Sequence, residues 1–338
     1  VFGIGQVPLI MRFLTCAAFA LLLVPMWAQT AAPDASTDTD RDGLTDAVEN
    51  ALLSQFAPRF MVSDDDCSLR PAQFVPFAQQ PQVEKENGAI YGQAFPRPGH
   101  DGQVELHFFH LWRTDCGEMS HPLDAEHVSA LVARDEGAEW KALYWYAAAH
   151  EDTVCDASQI TRASAVDGEL YGPVVWISRG KHASFLGAAV CSNGCGGDRC
   201  QAMGSLNSAG IINLGEPAHA MNGAGWAGSA QWPLGEKMRR SDFNDARIAR
   251  VERLPVTTIA WANPGKRPVQ GAIRGGHGAQ VGASTGLRAT DSALDAADSS
   301  TGNALDNATA STGRSLAKSA RNVKKALRSM AKKLGITE

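Results

Sequence analysis

Tyrosine is scarce in this chain: 4 residues in 338, against 33 glycines, with aromatics at only 7%. That balance implies many turns and a poorly structured part. A serine nucleophile in its usual setting is also missing, because neither Ser178 nor Ser184 stands in a G-x-S-x-G context. No cysteine pair has C-x-x-C spacing, which sets aside a zinc knuckle built from Cys191, Cys195, Cys200 and a histidine. The only long apolar run, Phe13–Trp27, is short and contains Pro25, so it does not suit a retained membrane anchor.

Residues 1–32 instead read as an export signal. Met11-Arg12 gives a short basic start, Phe13–Trp27 the apolar region, and small residues around Ala28–Ala32 a cleavage point. Met11 is the natural start, with Val1–Ile10 upstream of it. Cys16 lies inside the signal and leaves six cysteines: Cys67, Cys116, Cys155, Cys191, Cys195 and Cys200. An even number in an exported chain argues for disulfides and a secreted or periplasmic location. Three of the six crowd into CSNGCGGDRC, so at least one of these must reach Cys67, Cys116 or Cys155.

What the chain does have begins with DTDRDGLTDAVE, residues 38–49. Asp38, Asp40 and Asp42 occupy positions 1, 3 and 5 of a calcium loop. Gly43 supplies the sharp turn, Leu44 the carbonyl at position 7, Asp46 position 9 and Glu49 the bidentate position 12. No helix former precedes it, so it resembles the isolated Ca²⁺ loops of exported bacterial proteins more than a paired EF-hand. The helix that follows, from Thr45 to about Phe56, carries Val48, Leu52 and Phe56 on one stripe and stops before Pro58.

Residues 57–262 read as a β-sandwich with peripheral helices, a mainly β fold. Strands are expected at Phe60–Val62, Ala89–Phe95, Val104–Trp112, His127–Ala133, within 138–149, and at 172–177. In Val104–Trp112, His107, Phe109 and Leu111 face one way and Phe108, His110 and Trp112 the other, as in a strand covered on both sides. His110 is then a packed core histidine. Trp226 and Trp232 are expected to pack back on the sandwich.

Residues 263–313 are rich in Gly, Ala, Ser, Thr and Asp and read as a disordered linker. Residues 314–338 read as a basic amphipathic helix with Lys318, Arg321, Lys324, Lys325, Arg328, Lys332 and Lys333 on its polar face. Eight basic residues against Glu338 give this tail +7, so the rest of a chain of net −5 carries −12. An anionic membrane surface suits the tail, at about 1 kcal/mol per basic residue near a bilayer. Docking on the chain's own acidic body is the other reading. Nucleic acid is a poor partner for an exported protein.

A polar segment between the two central strands holds Asp115, His121, Asp124 and Glu126 and is read as a loop running into a strand. A histidine and carboxylates at H-x-x-D-x-E spacing suit a second divalent metal, Mg²⁺, Ca²⁺, Mn²⁺ or Zn²⁺. Asp124 and Glu126 share one face of an extended chain, and His127 points away.

The stretches H-x-x-D-x-E-H-V at His121–Val128, APRF at Ala57–Phe60 and VVWISRGKHASF at Val174–Phe185 resemble the vacuolar protein sorting-associated protein 62 family. The same H-x-x-D-x-E resembles the core of the heptapeptide motif of the necrosis-inducing (Nep1-like) cytolysins, with Leu123 and Ala125 in place of the motif's second histidine and tryptophan. The second resemblance implies a β-sandwich with flanking helices, a metal held by His121, Asp124, Glu126 and Asp115, and binding of sphingolipid sugar headgroups. It also implies that His182 faces the headgroup.

The function expected from all this is an exported metal-binding protein that recognises lipid headgroups or glycans at a membrane surface, more a binder than an enzyme. The alternative is a metal-assisted hydrolase of phosphoesters or glycolipids, with His182 or His150 shuttling protons.

Overall fold

The structure is a computed structural model that describes residues 36–267, apart from 118–119, 136–138, 196 and 239. The signal, most of the linker and the basic tail lie outside the described residues. None of the helices among the described residues is long and apolar enough to cross a membrane.

The chain enters through α1 (Asp46–Gln55), where the Thr45 side chain accepts from Val48 N and caps the helix. Leu52, Leu53 and Phe56 are its most buried apolar residues. They pack with both sheets of the protein. The smaller sheet pairs β1 (Arg59–Ser63) in parallel with β9 (Val174–Ile177) and antiparallel with β11 (Met203–Ser205). The β10 strand (Ser184–Phe185) completes it beside β9. Short β2 (Gln73–Phe74) and β3 (Val83–Lys85) form a separate hairpin.

The larger sheet is built on β4 (Ala89–Pro96), β5 (Gln103–Asp115), β6 (His121–Arg134), β7 (Trp140–Ala147) and β8 (Gln159–Arg162), neighbours in that order. These five strands run as an antiparallel meander. One edge is extended by β12 (Gly210–Asn213), parallel to β4, and the other by β15 (Ala260–Trp261). A separate hairpin of β13 (Gly215–Glu216) and β14 (His219–Ala220) follows β12 in the chain.

The sandwich core joins the two sheets. Phe60, Val62, Val175 and Ile177 from the smaller one meet Leu106, Phe108, Trp112, Val128, Ala130 and Trp145 from the larger. The other face of the larger sheet is covered as well. Tyr91, Phe109, Leu111 and Ala125 pack under Phe74, Trp226, Trp232 and α3 (Leu234–Met238). Leu131, Tyr146 and Ile160 pack under Phe243 and Val251 of the segment containing α4 (Asp245–Glu252). The sequence alternation in β5 therefore holds residue by residue, and the tryptophans fold back as expected.

Three disulfides are formed, Cys67–Cys116, Cys155–Cys195 and Cys191–Cys200, the last next to α2 (Ala188–Cys191). One cysteine of the cluster thus reaches outward to Cys155 and the other two close on each other.

Candidate functional site

The segment read as a polar loop is mostly strand. β5 continues to Asp115 and β6 begins at His121, with Asp115 paired to His121 and Trp112 to Asp124 across the hairpin. The polar residues of this hairpin are of two kinds: His121 is exposed near its turn, while Asp124 and Glu126 are buried. Leu123 sits at φ 62°. The pairing keeps one register on either side of it, and His121 and Asp124, three residues apart, fall on opposite faces.

The candidate ligands consequently separate. His121 is half exposed, with Nε2 3.6 Å from Asp115 Oδ2. Asp124 turns inward, its Oδ2 3.1 Å from His182 Nδ1. On the far side of that ring, His182 Nε2 lies 3.5 Å from Asp66 Oδ1. Trp112 stacks on the imidazole with centroids 3.9 Å apart and planes 7° from parallel. No three of His121, Asp115, Asp124 and Glu126 bring donor atoms within 4.8 Å of one another.

The electrostatics of this cluster follow from burial. Burial works against a charged His182, but the hydrogen bond to Asp124 and the nearby charges of Asp124 and Asp66 outweigh it and raise the ring to about 9. Burial alone would raise Asp124; the bond and charge of His182 bring it below the ordinary range. Glu126 has no such partner. Burial pushes it up to about 8, against the pull of Lys237 and with the push of Asp124. Its Oε2 is buried with no hydrogen-bond partner. Lys237 Nζ is engaged elsewhere, donating to the Ala125 carbonyl at 2.6 Å.

His182 is therefore a clamped, fully buried ion-pair partner and not an exposed proton shuttle. His150 is likewise held by Asp198, at 2.9 and 3.0 Å, and that carboxylate also accepts from Ser178 Oγ and Cys195 N. Ser184 lies 2.7 Å from His110 Nε2, but both are fully buried. Asp66 was missed in the sequence because SDDDCS reads only as a turn. A cavity of about 320 Å³, lined by Phe60, Ile90 and Ile211 among others, lies elsewhere.

The loop before α1 is organised around carboxylates. Asp38 accepts from Arg41 N at 2.7 Å and Gly43 N at 3.1 Å, and Asp42 from Leu44 N at 2.7 Å. Gly43 takes φ 98°, a conformation other residues rarely adopt. Asp38, Asp40 and Asp42 each place an oxygen within 4.8 Å of the other two.

Both oxygens of Asp40, Oδ2 of Asp42 and Oε1 of Glu49 are buried without a hydrogen-bond partner. Burial pushes Asp42 to about 6. Glu49 reaches about 8 through burial first and then the charge of Asp40, despite a 2.9 Å bond from Asn213 Nδ2. Buried, unpartnered carboxylate oxygens facing one another fit a divalent cation. Asp46 is the exception among the expected ligands. Its oxygens accept from Thr39 N and Oγ1, at 2.7 and 2.6 Å, so it closes the loop on itself. Asn213 and Glu216 join this site from more than 160 residues away, with no local signal to announce them; burial lifts Glu216 to about 7.

No family model and no curated protein matches the chain. The resemblance to the vacuolar protein sorting-associated protein 62 family finds no support there. Among solved structures, similar chains are described as "NLPPya in complex with glucosamine" and "NLPPya in complex with mannosamine", at 14% and 15% identity. Each alignment covers 66% of this chain and 88% of the other at a TM-score of 0.32. Another, "Toxin fold for microbial attack and plant defense", is 15% identical over 48% of this chain and 72% of its own, with a TM-score of 0.29. Overlap at that level does not define a site.

Proposed function

We propose that the protein is an exported, calcium-stabilised binding protein without catalytic activity. In this reading loop 38–49 holds Ca²⁺ through Asp38, Asp40, Asp42, the Leu44 carbonyl and Glu49. A second divalent cation sits between Asp124 and Glu126 and receives the oxygens of a glycan or polar lipid headgroup. The basic residues Lys318 to Lys333 hold the protein at an anionic membrane.

The observation that carries the second site is Glu126: a carboxylate 7% exposed, one oxygen unpartnered, beside a second buried carboxylate. Such a pair is stable when one member keeps its proton or when a cation lies between them. A hard cation there would have open positions for hydroxyl or phosphate oxygens. The three disulfides support an oxidising compartment.

Elemental analysis of the purified protein beside Asp42→Asn and Glu126→Gln tests both sites together. Each variant is expected to lose one metal equivalent, and Glu126→Gln to lose cation-dependent co-sedimentation with glycolipid vesicles. Unchanged metal content and vesicle binding in Glu126→Gln would remove the second site from the account.

A further inference from the structure

On the outer face of the larger sheet, away from Asp124, lies a second group of metal-binding side chains. His107 pairs with Ser129 and Phe109 with His127 across β5 and β6, which puts His107, His127 and Ser129 on one face. Asp242, from the segment leading into α4, closes over them. His107 is 0% exposed, His127 1% and Asp242 2%.

The two imidazoles stack with centroids 5.7 Å apart and planes 11° from parallel. Asp242 Oδ2 lies 2.9 Å from His127 Nε2 and 3.8 Å from His107 Nδ1. The first is a hydrogen-bond distance and the second is too long for one. His107 Nδ1 is accordingly buried without a hydrogen-bond partner.

We infer that His107, His127 and Asp242 form an interior site for a divalent transition metal of the zinc class, one that pins the C-terminal segment to the sheet. Zinc bonds nitrogen and carboxylate oxygen at about 2.0–2.2 Å, which places tetrahedral neighbours about 3.3–3.5 Å apart. The 2.9 and 3.8 Å separations bracket that spacing, and one donor from each residue lies within 4.8 Å of the other two.

The surroundings supply an outer shell for His107 and Asp242, while His127 Nδ1 is buried without a hydrogen-bond partner. His107 turns its other nitrogen, Nε2, toward Glu105 Oε2 at 3.4 Å, the carboxylate–histidine arrangement that orients a metal-ligating ring. Ser129 Oγ donates to Asp242 Oδ2 at 2.5 Å, and Asp242 N donates to Glu105 Oε2 at 3.1 Å. Two neutral imidazoles with two carboxylates sum to −2, the charge one divalent ion balances. Imidazole donors select zinc-class metals over calcium, which keeps this site chemically distinct from loop 38–49. The inference does not depend on the proposed headgroup site.

The test uses the full chain, stripped with a strong chelator and then saturated with Ca²⁺. Titration with Co²⁺ is expected to give one equivalent with the intense visible bands of four-coordinate Co²⁺, displaced by one equivalent of Zn²⁺. Asp242→Asn and His107→Gln should lose that equivalent, while Asp42→Asn and His121→Ala keep it. No Co²⁺ bands in the wild type, or bands retained in folded Asp242→Asn, would overturn the site. Should the variants fail to fold, the wild-type spectrum alone decides: six-coordinate, weakly absorbing Co²⁺ refutes it.

Discussion

Replacing Glu49 by glutamine isolates the cost that calcium is expected to lift. Glu49 is 0% exposed, and in the calcium-free protein its carboxyl is pushed from 4.5 to about 8. Below pH 4.5 both folded and unfolded chains keep this proton, and the group contributes nothing to the pH dependence. As pH rises from 4.5 to about 8, the unfolded chain ionises while the folded one retains its proton, so stability falls across that window. A displacement of that size is worth about 4 to 5 kcal/mol. For a domain of this size, about 2–4 °C per kcal/mol makes it roughly 10 °C in Tm.

Calcium replaces the proton, so its stabilisation is expected to be small at pH 5 and large at pH 8. Glu49→Gln keeps an acceptor for Asn213 Nδ2 and removes the charge. Its calcium-free Tm at pH 8 is expected to exceed that of the wild type, with a much reduced response to Ca²⁺. Scanning calorimetry at pH 5 and 8, with Ca²⁺ or with a calcium chelator, reads all four states. A wild type whose calcium-free Tm is equal at both pH values, or a full calcium response in Glu49→Gln, would refute the reasoning.

His182 adds a second pH dependence at higher pH. Its folded value of about 9 lies above the ordinary 6.5, so its ion pairs stabilise fully below pH 6.5 and are lost as pH rises through 9. His182→Phe keeps an aromatic ring on Trp112 but strands Asp124 and Asp66. Urea unfolding at pH 6 should show a loss of about 3 kcal/mol or more, and equal stability of variant and wild type would sink the ion-pair account. Removing Cys155–Cys195 by paired serine substitution opens a 40-residue loop and should cost about 4 kcal/mol; an unchanged denaturation midpoint would contradict it. Deleting residues 314–338 should abolish co-sedimentation with anionic vesicles at low salt, and equal binding by both proteins would remove the tail from the membrane reading.

The contrast between what sequence reading found and missed has one physical origin, range along the chain. The sandwich strands were legible because alternation is local: Phe108 and Trp112 face the inter-sheet core while Phe109 and Leu111 face α3 and the tryptophans. The cluster of Asp38, Asp40 and Asp42 was legible for the same reason, since its members lie within five residues of one another. The acidic hairpin was misread as loop because apolar alternation marks only strand packed through apolar side chains, whereas β6 carries buried Asp124 and Glu126 at those positions. The decisive partners are far away: His182 for Asp124, Asp66 for His182, Asn213 for Glu49, Asp242 for His127. Each is a charge or amide brought from a different segment to a carboxylate or imidazole that the fold has already buried. A buried ionisable group imposes a requirement that the fold meets from wherever the chain passes next. Asp40, Asp42, Glu49 and Glu126 are carboxylates where the described residues leave it unmet, and a cation is a partner whose chemistry fits them.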